Sequence, residues 1–412
     1  MKAVVFTLGC KVNECESDSL TRGLMDRGYQ VSDKLEYADL YIVNTCAVTK
    51  EAEKKSRQTA SRIKKYNPAA KIIFTGCATQ KHPEKFIDKS KNCLVTGTFS
   101  KNKILELLDE TGVNISPETQ VFEELLPVKS LRTRTFVKVQ DGCDNFCTYC
   151  IIPYLRGRTR SRSPESIINE IVMLNPKEVV LNGINLSAYN FNGLDLTGLI
   201  NALKVVDCRI RLGSLEVNVI NDEFLFALKR LKNFAPHFHL SLQSGSDEVL
   251  KKMNRHYSSS EFIEKVGLIR KYFPQAGITT DIIAGFPTET ENNFNETIEL
   301  INKVKFSDIH PFIYSPREGT VAYKMKDIEY SVKKRRLDVL LSKKEECKGN
   351  FISSILNTKQ ECLFEQINDD GYAEGYSGNY LRLYIKDCKV SGMLKVKIVK
   401  PFRDGALCEL IK

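Results

Sequence analysis

The chain has 412 residues, enough for two or three domains with buried cores, and its 42% hydrophobic and 27% charged content excludes a disordered or fibrous chain. Lys and Arg outnumber Asp and Glu by 61 to 51, a net charge of +10, which suits a polyanionic partner such as nucleic acid but equally a basic enzyme. No stretch approaches the length of a membrane span, and the opening MKAVVFTLGC lacks the apolar core and cleavage site of a signal peptide, so a cytoplasmic protein without a membrane partner is expected.

In chain order, the first ~125 residues alternate strand and helix signals, a βαβ pattern that implies a parallel sheet. Strands are predicted at Ala3–Thr7, Leu40–Asn44, Ile72–Thr75 and Cys93–Thr96, with helices near Ser17–Arg27, Lys50–Tyr66 and Lys101–Thr111. Residues 112–130 carry prolines and little periodicity and read as a linker. A second alternating series follows, with strands at Phe136–Gln140, Glu178–Leu181, Arg209–Leu215, His239–Leu242, Thr279–Ala284 and Asp308–Tyr314. Six βα units fit a partial barrel or a large doubly wound sheet. The last ~55 residues hold alternating runs (Cys362–Gln366, Leu381–Ile385, Leu394–Val399) broken by DDG, SGN and DG turns, the pattern of a small antiparallel barrel.

Thirteen cysteines in a reducing compartment point to metal or catalytic chemistry more than to disulfides. The central run DGCDNFCTYCIIP sets Cys143, Cys147 and Cys150 at Cys-x3-Cys-x2-Cys spacing directly after a strand. Three thiolates on a [4Fe–4S] cubane leave one iron without a protein ligand, the open position that metal catalysis needs. A structural zinc site would need a fourth ligand nearby, and the next cysteine is Cys208.

The N-terminal region adds a dispersed set. Cys10 ends VVFTLGC, Cys46 ends LYIVNTC and Cys77 ends KIIFTGC, each just past the carboxyl end of a predicted parallel strand. Those ends share one edge of an open sheet, where ligands bind, so three thiols distant in sequence are expected to converge. Taken singly, each is as readily a small packing residue. Cys15, in a helix start, and Cys93, opening a strand, fall outside the pattern and are expected to be structural.

Lys129, Arg132, Arg134, Lys138, Arg156, Arg158, Arg160 and Arg162 lie among only two acids, Asp141 and Asp144. The last four, in RGRTRSR beside the cysteine loop, are the candidate RNA-binding residues, suited to phosphate contact; the helix around Lys54–Lys65 and the KKRR run at Lys333–Arg336 read as readily as solvated faces. Tyr372, Tyr376, Tyr380 and Tyr384, near Arg382 and Lys386, offer stacking surfaces for unpaired bases, with half of them expected in the barrel core.

The motifs TLGCKVN, NTCAVT, FTGC and DGCDNFCTYCIIPYLRGRTRSR, followed by HLSLQSGSDEVLKKMNRHY, TDIIAGFPTET and FIYSPREGT, resemble the methylthiotransferase family in order and spacing over nearly the whole chain. The resemblance implies an α/β protein with an N-terminal open-sheet methylthiotransferase domain (1–115), a partial (βα)6 radical S-adenosylmethionine (SAM) barrel (130–356) and a TRAM-like RNA-binding barrel (357–412). Leu8, Lys11 and Val12 place it nearest the branch that acts on threonylcarbamoyladenosine next to the tRNA anticodon (adenosine-37). The other branches act on isopentenyladenosine or on a ribosomal-protein aspartate, and a non-catalytic iron–sulfur RNA-binding redox protein is the alternative of a different class.

Two [4Fe–4S] clusters are implied: one on Cys143, Cys147 and Cys150 that cleaves SAM to a radical, and an auxiliary one on Cys10, Cys46 and Cys77 that carries the sulfur. One SAM serves as methyl donor and another as radical source, and the protein orients and shields them. Tyr149, Gly183, Asn185, Gln243, Ser244 and Ile283 are the implied SAM contacts. The implied partners are tRNA, an electron donor of flavodoxin or ferredoxin type, and a sulfur source that the sequence leaves unspecified.

Overall fold

The computed structural model describes residues 1–87, 92–128, 133–386 and 392–411. Lys129 and Arg132 lie outside the described residues. The N-terminal strands are β1 (Lys2–Thr7), β2 (Gln30–Ser32), β3 (Leu40–Thr45), β4 (Lys71–Gly76), β5 (Cys93–Thr96) and β6 (Gly112–Asn114). They form one parallel sheet in the order β2-β1-β3-β4-β5-β6. Every residue of β3 is buried, as expected of a central strand covered on both faces.

Two short strands, β2 and β6, escaped the sequence reading, and β6 lies in the segment read as a linker. Helix α1 (Lys11–Met25) starts six residues before the predicted Ser17, because Cys10 is already extended at its N-terminal boundary. The predicted helix at Lys101–Thr111 is a 3-10 segment ending at Glu106. Its Lys101 side chain is buried, drawn in by Glu16 and Asn44, which fixes the tight turn.

The central domain has six parallel strands: β7 (Arg134–Lys138), β8 (Glu178–Asn182), β9 (Arg209–Leu212, continued by Ser214–Leu215), β10 (His237–Leu240), β11 (Gly277–Ala284) and β12 (Asp308–Ile313). They pair in chain order, β9 bridging the two halves of the sheet. Val137, Val179, Leu181, Ile210, Leu212, Phe238, Leu240, Ile278, Ile282 and Ile309 point to one apolar core shared with the covering helices. Strand geometry therefore turns Lys138, Asn182, Arg211, His239, Asp281 and His310 to the opposite face. A doubly wound sheet would cover that face with apolar helices; here it is polar, and α1 of the N-terminal domain lies against it. The sheet is the partial barrel.

The chain closes with β13 (Lys359–Ile367), β14 (Tyr372–Ser377), β15 (Arg382–Lys386), β16 (Gly392–Phe402) and β17 (Gly405–Leu410) in a closed barrel ordered β13-β14-β15-β17-β16. It docks on the amino ends of the central strands. There buried Glu178 pairs with Arg209 and Arg211, whose guanidiniums also donate to the carbonyls of Glu361, Tyr376, Ser377 and Gly378 at 2.9–3.1 Å. Tyr380 stacks on both Tyr376 and His237, with Arg134 and Arg211 over its ring. Two of the four candidate base-stacking tyrosines are thus held in a domain junction; Tyr384 is buried beside Phe402, and Tyr372 packs on the same ring.

Candidate metal centres

Cys10, Cys46 and Cys77 follow β1, β3 and β4, three adjacent strands, and sit at one sheet edge. Gly9 and Gly76 make the final turns with φ of +104° and +106°, a conformation that glycine adopts without cost. A Cβ on Gly9 would lie 2.7 Å from Cys46 Sγ, and one on Gly76 2.5 Å from Thr45 O, so both turns also need the missing side chain. The thiols are close enough to act on one another: burial, then Cys77 and Cys10, push the Cys46 thiol up to about 12. Burial likewise raises Cys77.

Beside this triad lies a buried ionic network. Glu16 accepts from Lys101, from Lys138 at 3.0 Å and from Arg156 at 2.9 Å; Asp141 accepts from Lys138 at 2.7 Å, Arg156 at 3.1 Å and Arg160 at 3.2 Å. Burial opposes ionisation of both acids, yet the surrounding cations hold each carboxyl well below its usual range. Arg156 also hydrogen-bonds Asn13 at 2.7 Å, and its positive charge beside Cys77 favours the thiolate against burial. Four cations (Lys101, Lys138, Arg156, Arg160) thus face two carboxylates (Glu16, Asp141), a positive surplus against the triad that fits an anionic thiolate-bound cluster.

This overturns most of the expected phosphate clamp. Arg156 is 1% exposed, Arg160 is equally committed to Asp141, and Arg162 is buried between Glu124 and Glu170. Of the four, Arg158 alone keeps an exposed side chain, 58%, and even it meets Asp144 at 3.2 Å. Burying a guanidinium without a carboxylate is too costly, so the carboxylates decide where these arginines sit.

The second triad lies on the loop after β7. Its backbone is pinned from two later motifs: Thr148 N donates to Met253 O at 3.0 Å, Asn254 Nδ2 to Asn145 O at 2.9 Å, and Ala322 N to Thr148 O at 2.8 Å. Cys143, Cys147 and Cys150 line a cavity of ≈ 150 Å³ at the carboxyl ends of the barrel strands, with Asn145, Tyr149, Ile152, Asn185, Glu216, Ser241, Gln243 and Arg255. Arg255 Nη1 stands 3.4 Å from Cys147 Sγ and 2.9 Å from Glu216. Burial pushes the Cys150 thiol up to about 12 and raises Cys143.

Among the described residues no three His, Cys, Asp or Glu side chains close around a single point as they would around one metal ion. A cubane takes each thiolate on a different iron, so its three thiols stand further apart than three ligands of one zinc ion.

Of the implied SAM contacts, Tyr149, Asn185 and Gln243 line the cavity, and Asn185 Nδ2 lies 3.9 Å from Cys143 Sγ. Gln243 holds a left-handed φ of +69° and bridges β10 to β11 through Asp281 O and Ile283 N, both at 2.9 Å. Ile283 packs with Tyr149 and Phe286 behind the loop. Ser244 is a correction: it is buried away from the cavity, 3.4 Å from Thr297 Oγ1. Gly183 does not line the cavity either; a Cβ there would meet Gln140 Oε1 at 2.8 Å, which accounts for the glycine by packing. Sequence reading missed Arg255, Glu216, Glu16 and Lys101; the MNRHY motif carried the one available signal, a cation beside the quoted barrel motifs.

Cys15 and Cys93 are buried in α1 and β5, as expected. One short helix, Ile152–Arg156, joins the two triads. Ile152 lines the cavity of the second, and Arg156, about 6 Å further along the axis, contacts Cys77 of the first.

Comparison with known proteins agrees with this layout. The model described as uncharacterized protein family UPF0004 matches residues 2–97, and that of the radical SAM superfamily matches residues 137–301. The chain is 35% identical to the threonylcarbamoyladenosine tRNA methylthiotransferase of Bacillus subtilis (100% of this chain, 98% of the relative). It is 39% identical to that of Thermotoga maritima (99% and 96%). Identity to the tRNA-2-methylthio-N6-dimethylallyladenosine synthase of Bacillus licheniformis is 38%, over 82% of this chain and 71% of the relative. Among solved structures, the radical SAM methyltransferase TsrM of Kitasatospora setae shares the fold with a TM-score of 0.55 at 13% identity, covering 76% of this chain and 74% of that one. With its sheet-edge cysteines, its cysteine loop on a six-stranded partial barrel and relatives matched from end to end, the chain belongs to the radical SAM methylthiotransferase family of transferases.

Proposed function

We propose that the protein replaces the C2 hydrogen of N6-threonylcarbamoyladenosine in tRNA with a methylthio group, working in the cytoplasm with an external reductant. In this reading Cys143, Cys147 and Cys150 hold a SAM-binding [4Fe–4S] cluster, and Cys10, Cys46 and Cys77 hold an auxiliary one. When bound, these groups supply an electron for radical formation and the sulfur to be inserted. The observation that carries the reading is the five-residue helix Ile152–Arg156, whose first residue lines the cavity of one thiol triad and whose last lies beside a thiol of the other.

The chain's own residues supply charge, orientation and shielding. Arg255 beside Cys147 and Arg156 beside Cys77 offset the negative charge of bound thiolates. The raised Cys46 and Cys150 thiols are protonated at neutral pH in the metal-free chain, so cluster loading releases their protons. Tyr149, packed on Phe286 and Ile283, closes the inner side of the loop against water.

The test is incubation of the anaerobically reconstituted protein with SAM, dithionite and an anticodon stem-loop RNA carrying the nucleoside. Mass spectrometry is expected to show the methylthio product. Release of 5′-deoxyadenosine with unmodified RNA, or an unchanged tRNA profile in a deletion strain, refutes it.

A further inference from the structure

On β10, β11 and β12 the polar inner face lies outside the Glu16–Lys138 network, yet it is built in detail. His239 and Thr279 face each other across β10 and β11, and Asp281 and His310 across β11 and β12. His239 lies 3.0 Å from Thr279 Oγ1 through Nδ1 and 3.4 Å from Asp281 through Nε2, and its ring stacks on His310. Three of the chain's five histidines, His237, His239 and His310, therefore gather on this face.

Ser241 lines the cavity at the cysteine loop, and a second cavity of ≈ 260 Å³, at the junction with the C-terminal barrel, is lined by Thr279 and His310; His239 is two residues before Ser241 on β10 and opposite Thr279. Phe312, two residues beyond His310 on the same strand and 51% exposed, offers a ring on which a purine can stack. Lys11, the residue after Cys10 and first in α1, is exposed and has no carboxylate partner among the described residues. Cys15 of α1 packs against Asn182 on this face, and Lys11, one turn earlier, lies on the same side of the helix.

An apolar N6 substituent would take water from these groups and offer them no partner beyond one another. A threonylcarbamoyl group matches them: it has one carboxylate, one hydroxyl and a planar run of N–H and C=O. We propose that this inner face is the specificity pocket for the amino-acid side chain of the modified nucleoside, with its carboxylate on Lys11 and its hydroxyl and carbamoyl groups on His239, Asp281 and His310. The assignment rests on the tRNA nucleoside reading above and adds the residues that select among nucleosides.

The experiment compares the holoenzyme's kcat/KM on two stem-loop RNAs, one carrying the threonyl carboxylate and one carrying its neutral carboxamide. The wild-type enzyme is expected to prefer the acid by about 10-fold, the worth of a charge pair that substrate binding takes only partly out of water. Lys11→Gln is expected to bring the acid-to-amide ratio close to one. Equal wild-type rates on the two RNAs, or a full preference retained in Lys11→Gln, overturns the pocket while leaving the proposed function standing. Modification of neither RNA, with SAM still cleaved, overturns the nucleoside reading instead.

Discussion

Replacing Glu16 by Gln removes one charge from the centre of the network that joins the N-terminal domain to the barrel. The carboxylate is buried and accepts from Lys101, from Lys138 at 3.0 Å and from both Arg156 nitrogens at 2.9 and 3.2 Å. Its amide would leave Lys101 without its carboxylate and Arg156 and Lys138 sharing Asp141 with Arg160. Breaking a buried pair from one side costs about 3–5 kcal/mol. With a urea slope of about 2 kcal/mol/M the unfolding midpoint should fall by about 1.5–2.5 M.

The assay is urea unfolding of the metal-free, reduced chain followed by far-UV circular dichroism. The pH dependence gives a second reading. The Glu16 carboxyl is held well below its ordinary 4.5, so its contribution is full above that value and is lost as pH falls below it. Wild-type stability should therefore decline more steeply than that of Glu16→Gln on acidification. A midpoint shift under about 0.3 M, less than 1 kcal/mol at that slope, would refute the claim that this network couples the two domains.

Four further outcomes are expected. Cys143→Ala abolishes release of 5′-deoxyadenosine, whereas Cys77→Ala keeps it and stops sulfur insertion; loss of one and the same cluster in both variants, by iron and sulfide count, would undo the two-triad division. Arg255→Gln removes the cation 3.4 Å from Cys147 Sγ and should lower SAM cleavage about 10- to 100-fold, with the cluster reduced at a more negative potential in a spectroscopic titration. Glu178→Ala strips the buried partner of Arg209 and Arg211 and should free the C-terminal barrel to melt or be clipped separately in limited proteolysis. Arg158→Ala, at the exposed member of the basic run, should weaken RNA binding and flatten its salt dependence by about one charge; no change in the slope of affinity against salt would remove it from the RNA interface.

Much of the architecture was legible in order and period. Runs such as LYIVNT and KIIFTG, each apolar and β-branched between helical stretches, prescribe buried parallel strands, and the cysteines at their ends inherit one sheet edge from that topology. The closely spaced Cys143, Cys147 and Cys150 are local, so their grouping needs no tertiary information. Short strands such as Gln30–Ser32 and Gly112–Asn114 left no signal because three residues are too few to show a period.

What the chain order could not disclose is where each charge goes. Arg156 and Arg158 look alike in RGRTRSR, yet one is 1% exposed against Glu16 and Asp141 and the other faces solvent. Glu16 finds its three cations 85, 122 and 140 residues away. Sequence fixes the sign of a side chain and the local period that orients it, but the partner that makes burial tolerable comes from another domain. Only the packing of α1 against the barrel's inner face decides which cations answer a carboxylate, which a thiol, and which remain for the substrate.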